Sequence, residues 1–350
     1  GAGVLSVALF LFGRGALNGD GMGGAPVVAI GPLASYGDPG DDVTRPLGDM
    51  LATELARTPG LQVVSTGRMY ELLGPARDPD SLGAVIRAAR AAGATEVIDG
   101  TLLLLPGDVG FRLDLRRTDL ATGRAREGVT IEGADLFALA AEAARRLAEA
   151  YGHTMPRGVG VSTRSLVAYR LYEEGLRAFH TGHRGAAQRL FESALAEDSA
   201  FAMAAFYAGR SAPTRELYVL RLELARRLAD QASDRERLLI LAEWMLNMDH
   251  PARGAVAETL TVRYPTEVEG YLRLGEALMG EGKFLEALAP LEEVVRRDSL
   301  SLHEVDPLQC HACIGLERII YAWAMMDSLP MAERRARRWT MAGRRCRRAR

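Results

Sequence analysis

The chain is poor in cysteine, with three in 350 residues: Cys310, Cys313 and Cys346. That excludes a small disulfide-stapled scaffold. It holds one lysine, Lys283, so nearly all its positive charge is arginine. No apolar run reaches the roughly 20 residues that a whole spanning helix needs, which excludes a multi-span membrane protein. Reaction motifs are missing as well. There is no G-x-x-x-x-G-K-[ST] loop, no G-x-S-x-G elbow, no H-E-x-x-H and no H-R-D. No catalytic residue, metal or cofactor is expected, and the chain reads as a non-enzyme. The net charge of −2 excludes a generic nucleic-acid binder.

What is present is an ordinary globular composition, 48% apolar and 25% charged, with length for about two domains. The charge is uneven. Residues 331–350 hold nine arginines against Glu333, which leaves the first 330 residues at −10. An acidic body ends in a basic tail.

The chain starts at Gly1 without a methionine, and GAGVLSVALFLFG carries no charge before Arg14. Val4, Leu5, Val7, Leu9, Phe10, Leu11 and Phe12 give this run its apolarity. It reads as the exit half of a membrane anchor over 1–17, with a signal remnant and a buried helix as alternatives. Residues 18–25 form a glycine-rich tether. Few positive charges flank the run, which places the body on the periplasmic side of an inner membrane, with a single pass.

Residues 26–152 alternate strands and helices. Pro26–Ile30 and Leu61–Ser65 are short apolar strands. Val43, Leu47, Met50, Leu51 and Leu55 recur at helical spacing over 41–57. A second helix spans 81–92 and stops at Gly93. Strands follow at 94–105, 110–120 and 124–132, the last two joined by Ala121-Thr122-Gly123, before a helix over 134–151. The order β-α-β-α-β-β-β-α predicts a mixed sheet with packed helices. The acidic group Asp38, Asp41 and Asp42 reads as a solvated helix start.

The blocks V-V-A-I-G-P-L, D-D-V-T-R-P-L-G-D-M-L-A-T-E-L-A-R-T-P-G-L-Q-V-V-S and A-A-G-A-T-E-V-I-D-G-T-L, then R-L-D-L-R-R-T-D-L-A-T-G, resemble the amino-terminal domain of TolB-like proteins. The resemblance implies a non-catalytic α/β module of envelope assemblies. Such modules also occur in the sensory halves of membrane-tethered kinases and cyclases.

Residues 153–164 form a polar linker. Beyond it, 165–343 is helical and repetitive. Gly175, Ala187, Phe191, Ala194 and Ser199 are matched 100 residues later by Gly275, Ala287, Leu291, Val294 and Ser299. Gly209 lies 34 residues after Gly175. This spacing resembles the tetratricopeptide repeat. Helix pairs are expected at 168–199, 202–232, 234–265, 268–299 and around 312–341. The second carries an insertion near Ser211–Thr214, and Trp244 belongs to the core of the third. A repeat solenoid presents a concave surface for protein partners. Tyr169, Arg170, Tyr172, Arg177, Tyr207, Arg210, Tyr271 and Arg273 are its candidate lining, with inter-repeat packing as the competing account of each.

Cys310-His311-Ala312-Cys313 lacks the histidine after the second cysteine that haem attachment needs, and the four ligands of structural zinc. A disulfide between Cys310 and Cys313, or buried thiols, is expected. His180-Thr181-Gly182-His183 reads as a solvated turn. Arg334, Arg335, Arg337 and Arg338 open a basic stretch that ends in the tail 344–350, and could meet anionic lipid at roughly 1 kcal/mol per charge.

These features point to a membrane-anchored, protein-binding scaffold or accessory subunit of a larger bacterial membrane assembly, such as a respiratory or photosynthetic complex. Its partners would be other proteins, integral membrane subunits among them, and not nucleic acid. The alternative is the sensory portion of a receptor kinase or cyclase whose catalytic head lies outside this chain.

Overall fold

The computed structural model describes residues 26–36, 41–73, 81–106, 110–155, 160–298 and 311–328, with most of 330–337. The anchor run Val4–Phe12, Asp38, Cys310, Arg335, Arg338 and the tail 344–350 lie outside the described residues. No helix among the described residues is long and apolar enough to cross a membrane.

Five strands form one sheet: β1 (Val27–Tyr36), β2 (Gln62–Val63), β3 (Glu96–Leu104), β4 (Phe111–Asp119) and β5 (Ala125–Gly133). Their order is β2-β1-β3-β4-β5. The first three are parallel, whereas β3-β4 and β4-β5 are antiparallel. β1 runs six residues further than its apolar start foretold. Its register with β3 shifts between Ile30 and Leu33, because Gly31-Pro32 supplies a residue without an N–H and is accommodated as an irregularity. β2 is only two residues long, shorter than expected.

Helices cover both faces. On one, α1 (Asp41–Leu55) packs Leu47, Met50, Leu51 and Leu55 against Leu139, Ala143 and Leu147 of α4 (Leu136–Ala150) and against Ile98 and Leu113 of the sheet. On the other, α3 (Leu82–Ala91) seats Val85, Ala88 and Ala89 on Ala29 and Val97. Ser81 and Asp135 cap α3 and α4 by accepting backbone N–H bonds from Ala84 and Ala138. One helix is additional to the expected order: α2 (Thr66–Leu73), directly after β2.

The rest is helical, in pairs. α5 (Leu166–His180) pairs with α6 (Arg184–Glu197), and α7 (Ala202–Arg210) with α8 (Arg215–Leu228). α9 (Asp234–Asn247) pairs with α10 (Arg253–Arg263), and α11 (Val268–Gly280) with α12 (Phe284–Arg297). α13 (His311–Met325) begins a fifth pair. The first, third and fourth pairs lie within about two residues of the expected repeats, whereas α8 ends four residues before the expected 232. Residues 211–214 form the connector between α7 and α8, where an insertion was expected. Trp244 is only half-buried; its indole N–H donates to Glu223 at 2.8 Å.

The 100-residue echo has a steric cause. A Cβ on Gly175 would stand 2.6 Å from the Phe191 ring, and one on Gly275 would stand 2.5 Å from Leu291. The missing side chain lets two helices cross closely while the large residue fills the notch. Phe191 and Leu291 are fully buried, worth about 1.5–3 kcal/mol each. Gly175→Val should therefore destabilise the protein by about 1–3 kcal/mol in urea unfolding. Adding Phe191→Leu should recover part of that loss; strictly additive losses would contradict the interlock.

Candidate functional site

The first helices of the pairs share one side, and the chain itself closes that side. α1 and α2 lie across α5, α7, α9, α11 and α13, leaving about 50 Å³ between them, room for a few waters. Gly67 opens α2 at the tightest point. A Cβ there would meet His180 Nε2 at 3.1 Å and the Tyr207 hydroxyl at 3.7 Å. Ser65 caps the helix, its Oγ accepting the Arg68 N–H at 3.3 Å.

The next turn of α2 carries the contact. Arg68 Nη1 lies 2.9 Å from Glu71 and also pairs with Asp298, while Nη2 donates to the Arg297 carbonyl at 2.8 Å. A guanidinium at the carboxyl end of α12 also meets the negative pole of that helix. Asp298 is wholly buried and also accepts the Ala312 N–H at 3.0 Å. Glu71 faces two imidazoles: His311 Nδ1 at 3.3 Å and His180 Nδ1 at 3.5 Å. His311 Nε2 lies 2.5 Å from Glu269. Further along, the Tyr70 hydroxyl donates to Glu173, and the Tyr169 hydroxyl donates to Asp49 at 2.7 Å. Thr266 reaches the Val63 carbonyl at 3.0 Å.

The electrostatics follow from burial and pairing. Burial opposes the charge on His311, but the Glu71 and Glu269 carboxylates beside it raise its pKa well above the ordinary value. Burial would raise Glu71, yet His311 and Arg68 hold it far below the usual carboxylate range. His180 has the opposite balance: burial lowers it to about 4, so it is neutral at pH 7. Glu236, buried on α9 and bonded to the Ser233 N–H, is raised by burial to about 7.

The expected partner-binding residues are thus occupied within the chain. Tyr169, Tyr172 and Tyr207 are buried, in one aromatic stack with Phe191 and Phe201. Arg210 pairs with Glu269 at 3.3 Å, and Arg273 bridges Glu243 at 2.7 Å and Glu269. Arg170 and Arg177 are half-buried on α5. Tyr271 faces α12, under the Arg297 guanidinium at 4.9 Å. A concave face open to partners is corrected accordingly: Tyr169, Tyr172 and Tyr207 pack on one another and on phenylalanines, Tyr169 reaches Asp49 of α1, and Arg210 and Arg273 are held by Glu243 and Glu269. His180 is also corrected, from a solvated turn to a buried contact, although His183 is exposed. Cys313 is disulfide-bonded, with its partner outside the described residues. Arg334 and Arg337 are exposed, and Arg337 pairs with Glu333 at 3.0 Å. Among the described residues, no three of His, Cys, Asp and Glu are arranged to hold a metal ion.

A second feature had no sequence signal. β1 hands the chain to α1 on one face and β2 to α2 and α3 on the other, so the strand order splits between two parallel neighbours. Crevices outside the carboxyl ends of strands at such points are where open α/β sheets bind ligands. Here a crevice of about 830 Å³ occupies the place. Its floor is the distal sheet, where Asp99 pairs across β3-β4 with Arg116 and Thr101 with Asp114. Its walls include Met69 and Leu73 of α2, and Leu82 and Val85 of α3.

The chain matches no protein-family model and no curated protein.

Two outcomes follow from the buried contact. Arg68→Ala leaves Asp298 buried and short of its partner, and should cost about 3–5 kcal/mol in urea unfolding. The second is a pH dependence. His311 and Glu236 have raised pKa values, so the stability they lend is full below their unfolded values and is lost as pH rises. Stability should fall as pH rises above 6.5, by at most about 1.4 kcal/mol per unit for each proton, with the Glu236 share complete near pH 7. His311→Gln should flatten part of that slope. A profile that rises over this window would contradict the assignment.

Proposed function

We propose that the protein is a non-enzymatic, membrane-anchored binding scaffold or accessory subunit, docking on a larger bacterial membrane assembly such as a respiratory or photosynthetic complex. The observation that carries this reading is the charged contact between the α/β unit and the helical pairs. It joins them into one body whose outer surfaces keep a fixed relation, as a docking subunit needs. The first helices are committed to the chain's own α1 and α2, so partners would meet the outer faces. Tyr321 and Met325, one turn apart on α13, are each 50% exposed, and Tyr321 lies against Phe284. A contact through α13 would use this apolar pair.

The apolar run Val4–Phe12 supports attachment to the inner membrane in a single pass. The disulfide at Cys313 suits an oxidising, periplasmic setting for the body. The resemblances to a TolB-like amino-terminal domain and to tetratricopeptide repeats agree with this reading. The basic stretch from Arg334 onward offers contact with anionic lipid. A second reading, the sensory portion of a membrane receptor, is favoured by one observation: the crevice and the inter-unit contact share Asp49, Ala52 and Thr66.

The full-length protein, extracted from its native membrane in mild detergent, should migrate in constant ratio with integral membrane subunits. Changing Tyr321 and Met325 together to glutamate should release it without unfolding it. Migration alone in the unaltered protein would refute the scaffold reading.

A further inference from the structure

The crevice has a charge pattern that selects its occupant. The carboxylate of Asp99 is buried in the floor, with 8% of its side chain exposed. Arg116, its partner at 2.5 Å, is 61% exposed at the rim. Arg45, on α1, is likewise an exposed cation lining the crevice. Asp49 adds a second buried carboxylate from the opposite wall. Two carboxylates therefore lie deep and two cations lie at the mouth, where the half-buried Asp114 is already engaged by Arg112 at 3.0 Å. Between them stand Met69, Leu73, Leu82 and Val85, of which Leu82 is 40% exposed despite its place in the wall.

A ligand fitting this pattern carries a cationic donor to reach the floor, an apolar body for the walls and an anionic end for the rim. A bound ammonium takes the place of the Arg116 guanidinium at Asp99, so the buried carboxylate keeps a charged partner. The guanidinium fork of Arg116 can turn to meet a carboxylate in two parallel hydrogen bonds. The volume belongs to sites that hold ligands of several hundred daltons, larger than a single amino acid.

We propose that this crevice binds a short apolar peptide with free termini, its ammonium on Asp99 and its carboxylate at Arg116. Apolar side chains of the peptide lie against α2 and α3. Because Asp49 and Thr66 also line the space between the units, and Tyr70 of the crevice wall donates to Glu173 on α5, an occupant touches the helices that hold the molecule together. The proposal goes beyond the scaffold reading and stands apart from it.

Titration calorimetry of the full chain with Leu-Leu-Leu, its N-acetylated form and its C-terminal amide tests this. The free tripeptide should bind saturably. Acetylation, which removes the ammonium, should weaken it at least tenfold, and amidation should also weaken it. Asp99→Asn should weaken the free peptide about tenfold and leave the acetylated one unchanged. Ala34 is exposed and lines the crevice, so Ala34→Trp should fill it and abolish binding without altering the circular dichroism or the melting temperature. No saturable binding, equal binding of free and acetylated peptide, or unchanged binding by Ala34→Trp would each overturn the proposal. None of these outcomes changes what the protein accompanies in detergent, so the two readings fail separately.

Discussion

A guanidinium removed from water must find carboxylates and carbonyls already in place, or the fold that buries it is lost. Arg68 sits in that position, with Glu71 on its own helix and Asp298 and the Arg297 carbonyl from a chain segment some 230 residues away. The rest of the arrangement depends on it. Glu71 is held ionised by Arg68 and His311, His311 is held protonated by Glu71 and Glu269, and Glu269 is shared with Arg210 and Arg273. Such a buried network is not a cheap source of stability compared with apolar packing. Its effect is specificity: only one placement of α2 satisfies every member.

That placement decides what surface remains for function. Side chains that helical repeats turn toward one side are here divided between an aromatic core and a set of ion pairs with the α/β unit. The surfaces left open are the outer faces of the repeats, the half-exposed Tyr321 and Met325, and the crevice at the strand ends. The crevice and the inter-unit contact lie back to back on α1 and α2. Asp49 is bonded on one side to Tyr169, and the crevice opens on the other.

Much of the architecture was legible because its causes are local. An apolar run gave the strand expected at 94–105, a period-two pattern the strand expected at 110–120, and period-3.6 patterns the helices α1, α3 and α4. The Gly175–Phe191 and Gly275–Leu291 pairs gave the repeats, since a close crossing demands a small residue facing a large one. α2 was missed for an equally physical reason. Eight residues make only two turns, too few to show a repeating pattern, and the face toward the helical pairs is polar because it meets charges 100 to 240 residues away. Ser65, read as the end of a strand, is the helix cap, accepting the Arg68 N–H. His180 was misjudged likewise, and His311 drew no reading of its own. A histidine in a turn looks solvated until Glu71 is placed beside it. The crevice left no trace, because it is made by where helices stop covering the sheet.

The most direct measurement is hydrogen–deuterium exchange of the intact protein, resolved by segment. The account requires the α2 amides, in particular Met69 to Leu73, to exchange as slowly as those in the interior of α5 and α11. Opening of α2 would then occur only with unfolding of the molecule. Rapid exchange of α2 beside a protected α5 and α11 would show the contact to be loose, and would contradict the claim that one buried guanidinium joins the two units.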